Sequence, residues 1–363
     1  MNAESESRVT DRIQELDGWR AVSVLLVIFD HTITYKQVNL HSYALARVVL
    51  LAGNLGVSVF FVISGFVICR LFILEEGRFG SVSLRAFYYR RIFRILPPLF
   101  AFLAVVALLM AAGLIRGSWE ALPVAATFLS DFARVPRNWF VAHTWSLAVE
   151  EQFYLVFPAM WVLTPVRWRS RAVATAFLLC FGWSLAFTFP PSSLAIALIP
   201  RWGFTAISVG VWAAINERWV RQAAARVPAI CIGLVALILL TRPVHADDHF
   251  LNQLFNGVLL PLGIGLVLMY SLERGRWLRA ALCSKPMQAI GITSYGIYLW
   301  QEIFTAPPAD FTPRGAPIGF MLPLMLIVIP VSYFFLEKPA MRFGKTLSRR
   351  ARENASAKAG ASA

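Results

Sequence analysis

Apolar residues dominate the chain in long blocks, each close to the ~20 residues that a helix needs to cross the hydrocarbon layer of a bilayer. These blocks fall at about 19–38, 48–73, 95–114, 145–163, 172–189, 195–215, 227–241, 251–272, 287–304 and 317–336. The pattern predicts an all-α, polytopic membrane protein with about ten transmembrane helices, residues 16–340 forming one domain. An even number of crossings puts both termini on one side. Residues 1–15 are polar, with no apolar core leading to a cleavage site, so no cleavable signal peptide is expected. The tail, 341–363, is basic and then rich in Ala and Ser, and is expected to be disordered. No tandem repeat is visible.

Composition agrees with this reading: 58% of residues are hydrophobic and 15% charged, against roughly a quarter charged in soluble domains. A net charge of +14 would suit nucleic acid, but a multi-spanning protein gathers Lys and Arg in its cytoplasmic loops for topological reasons alone. With the N-terminus inside, inner segments hold 25 of the 34 basic residues and outer segments 7. That bias predicts cytoplasmic N- and C-termini, anionic lipid as a neighbour, and no nucleic-acid partner. The four cysteines lie in separate segments without metal-ligand spacing, so neither a disulfide framework nor a metal site is expected.

Ionisable residues inside the blocks are expensive in lipid and mark candidate chemistry. The first block reads Asp17-Gly18-Trp19-Arg20, then an apolar run, then Asp30-His31-Thr32. Arg20 and His31 are eleven residues apart, three turns of one helical face and about 16 Å along its axis, a separation that suits a long substrate charged at one end. Arg91 and Arg94 share a face at the mouth of the third block, where they suit either a phosphate or an anionic lipid headgroup. The fourth block opens His143-Thr144-Trp145-Ser146 and continues to Glu150-Glu151. At least one of those two carboxylates requires a wet cavity or a cationic partner such as Arg201. The ninth ends Tyr298-Leu299-Trp300-Gln301-Glu302, where the aromatics alone would fit an interfacial belt and Glu302 would fit the surface.

Taken in order, these segments resemble the acyltransferase-3 family of integral membrane acyltransferases. The resemblance rests on Leu16 to Arg20 with the Arg-x10-His spacing, Gly56 to Phe66, Arg91-x-x-Arg94 followed by Pro97, Thr144 to Tyr154, Ser294 to Trp300, and Glu337-Lys338-Pro339. It implies a ten-helix domain of the bacterial inner membrane, with acetyl-coenzyme A or another acyl-coenzyme A as co-substrate from the cytoplasm and no permanently bound cofactor. A hydroxyl of an extracytoplasmic sugar or glycan would be the acceptor. Carried over by position, Arg20 and His31 are an essential pair, and Arg91 and Arg94 contact the coenzyme. Gln301 stands where many members have histidine, and the match around Arg201 is loose.

On this reading His31 is the general base on the acceptor hydroxyl, Glu150 or Glu151 orients its imidazole, and Arg20, Arg91 and Arg94 hold the phosphates. Asp30, His143, Trp145, Arg201, Tyr298, Trp300 and Gln301 are the candidate substrate-binding residues. The rival class is a transporter or flippase with the same polar groups along a translocation path; against it stand the missing inverted repeat and the basic mouth.

Overall fold

A computed structural model describes residues 12–35, 43–131, 138–186, 203–241, 251, 254–315 and 322–361. The regular elements among them are helices: α1 (Gln14–Tyr35), α2 (Tyr43–Phe79), α3 (Leu84–Ala111), α4 (Thr144–Leu163), α5 (Val166–Ala186), α6 (Gly203–Ile215) and α7 (Glu217–Arg226). There follow α8 (Ala229–Thr241), α9 (Leu260–Glu273), α10 (Arg276–Leu282), α11 (Lys285–Ile292), α12 (Ser294–Thr305), α13 (Met325–Ser332) and α14 (Lys338–Ala361). Residues 51–79 of α2, all of α3, and 255–273 are each long and apolar enough to cross a membrane. The described part is thus an all-helical bundle of membrane-protein character.

Helix α2 is the spine, with α1 on one side and α6 on the other. In a bilayer helices gain little from burying apolar surface against each other, so close backbone approach has to supply the packing energy. Gly65 of α2 and Gly210 of α6 do this reciprocally: a Cβ at Gly65 would meet the Ile207 carbonyl, and one at Gly210 the Val62 carbonyl. Below this contact Phe72 packs edge-on against Phe87 at 5.1 Å and Phe157 at 5.2 Å, tying α2 to α3 and α4.

Two blocks are not the single helices that hydropathy predicts. The stretch 287–304 breaks at Thr293, whose hydroxyl donates to the carbonyls of Ala289 at 2.9 Å and Ile290 at 3.3 Å; such local bonding draws a residue out of helical register. The last block, described from 322, leaves α13 through a π turn at Tyr333–Glu337, which swings the Glu337 carboxylate into the protein, where it is 4% exposed. Helices α7 and α8 meet at 103° around Pro228.

The tail expected to be disordered is helical to Ala361. Its sequence is polar, but α14 lies along α3: Phe343 packs on Phe93 at 5.0 Å and Ser348 accepts from Arg90 at 2.7 Å. Buried Glu75 of α2 takes bonds from Arg352 at 2.7 Å, Arg90 at 3.4 Å and the Ser83 N–H at 3.1 Å. A carboxylate that is 4% exposed needs those cations, and Arg352 comes from the tail.

Candidate active site

Three arginines from two helices converge on one cavity of about 80 Å³. Arg20 comes from α1, and Arg91 and Arg94 from α3; Ser64, Ser146, Glu150, Tyr154, Ser294, Tyr295 and Tyr298 complete the polar lining. Arg20 is steadied by Asp17 at 3.3 Å, and the Arg91 guanidinium sits 4.5 Å over the Tyr154 ring. Glu150 accepts from Ser64 Oγ at 2.5 Å and from the Tyr154 hydroxyl. Ser146, Glu150 and Tyr154 recur every four residues, so one face of α4 supplies all three.

One helical turn away lies a second group. The His31 Nδ1 is 3.2 Å from Glu302 Oε1 and 3.1 Å from the Gln301 amide nitrogen, with Trp139 edge-on to the imidazole at 5.7 Å. On the other side of the same carboxylate oxygen is His143 Nδ1, 3.6 Å away. Glu302 is 1% exposed and His143 4%; an ionised carboxylate this deep requires a nearby proton donor. When Nδ1 carries its hydrogen toward Glu302, the ring's lone pair is on Nε2, the tautomer of a general base, and the Gln301 amide nitrogen is then a packing contact and not a hydrogen-bond donor to the ring. Gln301 is locked from behind by Thr305, whose hydroxyl donates to its side-chain oxygen at 2.9 Å.

Between the two groups lies one bridge. The hydroxyls of Tyr298 and Ser146 are 2.6 Å apart, and the Tyr298 hydroxyl also donates to the His143 carbonyl at 3.3 Å. The Tyr298 ring is edge-on to His143 at 5.3 Å and to Phe60 at 6.1 Å. Tyr298 and Ser146 line the arginine cavity; His31, His143 and Glu302 do not.

The structure therefore unites Arg20, Arg91 and Arg94 as the sequence suggests, but moves the carboxylates. Glu150 belongs to the arginine cavity, and the acid against His31 is Glu302, expected at the surface and found buried. Glu151 is outside the cavity lining, and its buried Oε1 has no hydrogen-bond partner among the described residues. Trp300 turns away from the imidazoles: its N–H donates to Ser332 at 3.0 Å, and Ser332 donates to Glu337 at 3.1 Å. Trp145 packs on Phe61 at 6.2 Å. The Asp30 carboxylate lies over Gly53 of α2, where a Cβ would collide with it. Arg201 lies outside the described residues.

Residues 13–337 match the sequence profile of the acyltransferase-3 family, described as an acyltransferase domain. The chain belongs to this family. Within the acyltransferase-3 family it is 26% identical over 374 residues to the putative peptidoglycan O-acetyltransferase YrhL of Bacillus subtilis, covering 93% of this chain and 56% of that protein. It is 25% identical over 388 residues to the peptidoglycan O-acetyltransferase OatA of Listeria monocytogenes, covering 92% and 56%. A putative O-acetyltransferase of Staphylococcus aureus is 24% identical, covering 92% and 58%. The chain thus spans a little over half the length of these curated relatives. No solved structure matches it.

The candidate site also contains groups that the sequence reading passed over: Ser64 as the hydroxyl that donates to Glu150, Ser146 as the bridging hydroxyl, and Glu302 as the acid between two imidazoles. Spacing carried the signal, since Tyr298 and Glu302 are four residues apart and share a face of α12.

Proposed function

We propose that the chain is a membrane O-acyltransferase of the bacterial inner membrane, moving a short acyl group, acetyl by preference, from cytoplasmic acyl-coenzyme A to a hydroxyl of an extracytoplasmic glycan. The observation that carries this reading is the convergence of Arg20, Arg91 and Arg94 on one cavity whose far wall backs onto the His31, Glu302 and His143 cluster. Guanidinium groups grip phosphates through paired, charge-assisted hydrogen bonds, so that cavity suits the charged end of the donor. Relatives named as peptidoglycan O-acetyltransferases favour a cell-wall or surface glycan as acceptor. Ten crossings with both termini inside, supported by the Lys and Arg bias, would set the arginines toward the cytoplasm and His31 toward the outside.

In this mechanism His31 Nε2 takes the proton of the acceptor hydroxyl while the oxygen attacks the thioester carbonyl. The C–O bond forms, the C–S bond breaks, and coenzyme A leaves as a thiolate that receives the proton back from the imidazolium. Glu302 holds the ring in its basic tautomer and stabilises the imidazolium that forms. The test is acetyl transfer from labelled acetyl-coenzyme A by vesicle-reconstituted protein. His31→Ala should lose the 10²- to 10⁴-fold or so that a general base contributes; near-normal turnover removes His31 from the chemistry.

A further inference from the structure

We infer that Tyr298, paired with Ser146, is the specificity-determining layer for the acyl group: it admits an acetyl unit to the imidazoles and turns away longer chains. The inference rests on the O-acyltransfer reading above and adds which residues select the donor's chain length.

Ser146 and Tyr298 line the cavity holding the three arginines, and His31, His143 and Glu302 lie outside that lining. His143 precedes Ser146 by three residues and Glu302 follows Tyr298 by four, a rise of about 4.5 Å and about 6 Å along the two helices. The layer separating arginines from imidazoles is therefore one helical turn thick, about the depth of a carbonyl with one methyl group. Its main side chain has little freedom to swing aside. The Tyr298 hydroxyl is tied to Ser146 at 2.6 Å and to the His143 carbonyl at 3.3 Å, and its ring is wedged between those of His143 and Phe60.

A thioester held from the arginine side has to bring its carbonyl carbon into this layer to meet an oxygen activated at His31. The carbonyl oxygen can take over the hydrogen bond between the two hydroxyls, since both can donate. The acyl tail must then fit beside the ring. Acetyl brings one methyl. Butyryl brings two further methylenes, and those carbons would occupy space now filled by the Tyr298 ring, the Phe60 ring or the His143 ring.

The experiment measures kcat/KM with acetyl- and butyryl-coenzyme A in reconstituted vesicles, for the wild type and for Tyr298→Ala, Tyr298→Leu, Tyr298→Phe and Ser146→Gly. A misfit methylene costs roughly 10- to 200-fold in kcat/KM, so the wild type should favour acetyl over butyryl by about 100-fold or more. Tyr298→Ala should cut that ratio at least ~10-fold, with Tyr298→Leu and Ser146→Gly moving it the same way by less. Tyr298→Phe, which keeps the ring, should hold the ratio whatever happens to kcat. The two milder variants decide the matter should Tyr298→Ala not fold. Equal use of both donors by the wild type overturns the inference, as does an unchanged ratio in the opened variants, or folded opened variants that transfer neither acyl group. Absence of acetyl transfer by the wild type, or transfer indifferent to His31→Ala, is a different result and refutes the O-acyltransfer reading itself.

Discussion

Glu302→Gln isolates the electrostatic part of the proposed mechanism, because it keeps the shape of the side chain and removes only the charge that faces His31 at 3.2 Å and His143 at 3.6 Å. At an effective dielectric constant of ~20, unit charges 3.2 Å apart attract by about 5 kcal/mol. With the proton half transferred in the transition state, about half of that, ~2.5 kcal/mol, is lost, which at ~1.4 kcal/mol per decade is close to a 10²-fold fall in kcat. The amide can also reverse the ring's tautomer, so this is a lower bound. KM for acetyl-coenzyme A should hardly move, since Glu302 does not line the arginine cavity. Thermal stability should hold or rise, because a buried carboxylate pays a desolvation cost that an amide largely avoids. The assay is steady-state transfer in vesicles, paired with thermal unfolding in detergent. A Glu302→Gln variant that is folded and turns over within about threefold of the wild type refutes the claim that this carboxylate serves the imidazole.

Three further outcomes follow from the same geometry. Arg94→Ala should raise KM for acetyl-coenzyme A by about 10- to 150-fold, the loss of one charge-assisted bond of ~1.5–3 kcal/mol, with kcat changing far less; a purely topological arginine would leave KM alone. Gly65→Leu should destabilise the bundle by ~1–3 kcal/mol or more, because its side chain must displace the Ile207 carbonyl, and thermal unfolding reads this directly. Arg352→Ala removes a 2.7 Å bond to buried Glu75 and should cost about 1–3 kcal/mol. The same unfolding scan would show it, and no change would mean that α14 does not brace α2.

The class of the protein is written in its long apolar blocks, and the arginine cavity was legible too. Arg20, Arg91 and Arg94 each stood out because guanidinium groups beside apolar runs have no cheap alternative. What hydropathy could not supply is rotation of one helix about its axis relative to another. Glu150 and Glu302 both look like acids at the edge of a block; which of them faces His31 depends on how α4 and α12 are turned, and that is set by contacts such as Tyr298 to Ser146 that join residues 152 positions apart. The helical tail was missed for a related reason. Its sequence is polar enough to stand alone in water, and the buried Glu75 that calls Arg352 into place lies on a distant helix.

The separation of the two groups also has an electrostatic consequence. A site that grips phosphates wants several guanidinium charges close together, whereas a general base must accept a proton, and nearby cations oppose that. Arg20 and His31 share a helix face about 16 Å apart, a range at which two unit charges interact by only ~1 kcal/mol at an effective dielectric constant of ~20. Asp17 beside Arg20 and Glu150 in the cavity offset part of the cationic field, and Glu302 supplies an opposing charge within 3.2 Å of the ring. The near carboxylate therefore outweighs Arg20 about fivefold. Moving a guanidinium into the layer, as in Ser146→Arg, would set a cation beside the ring and fill the space the acyl group needs, so transfer in vesicles should fall steeply, and near-normal turnover would refute the need to keep the two groups apart.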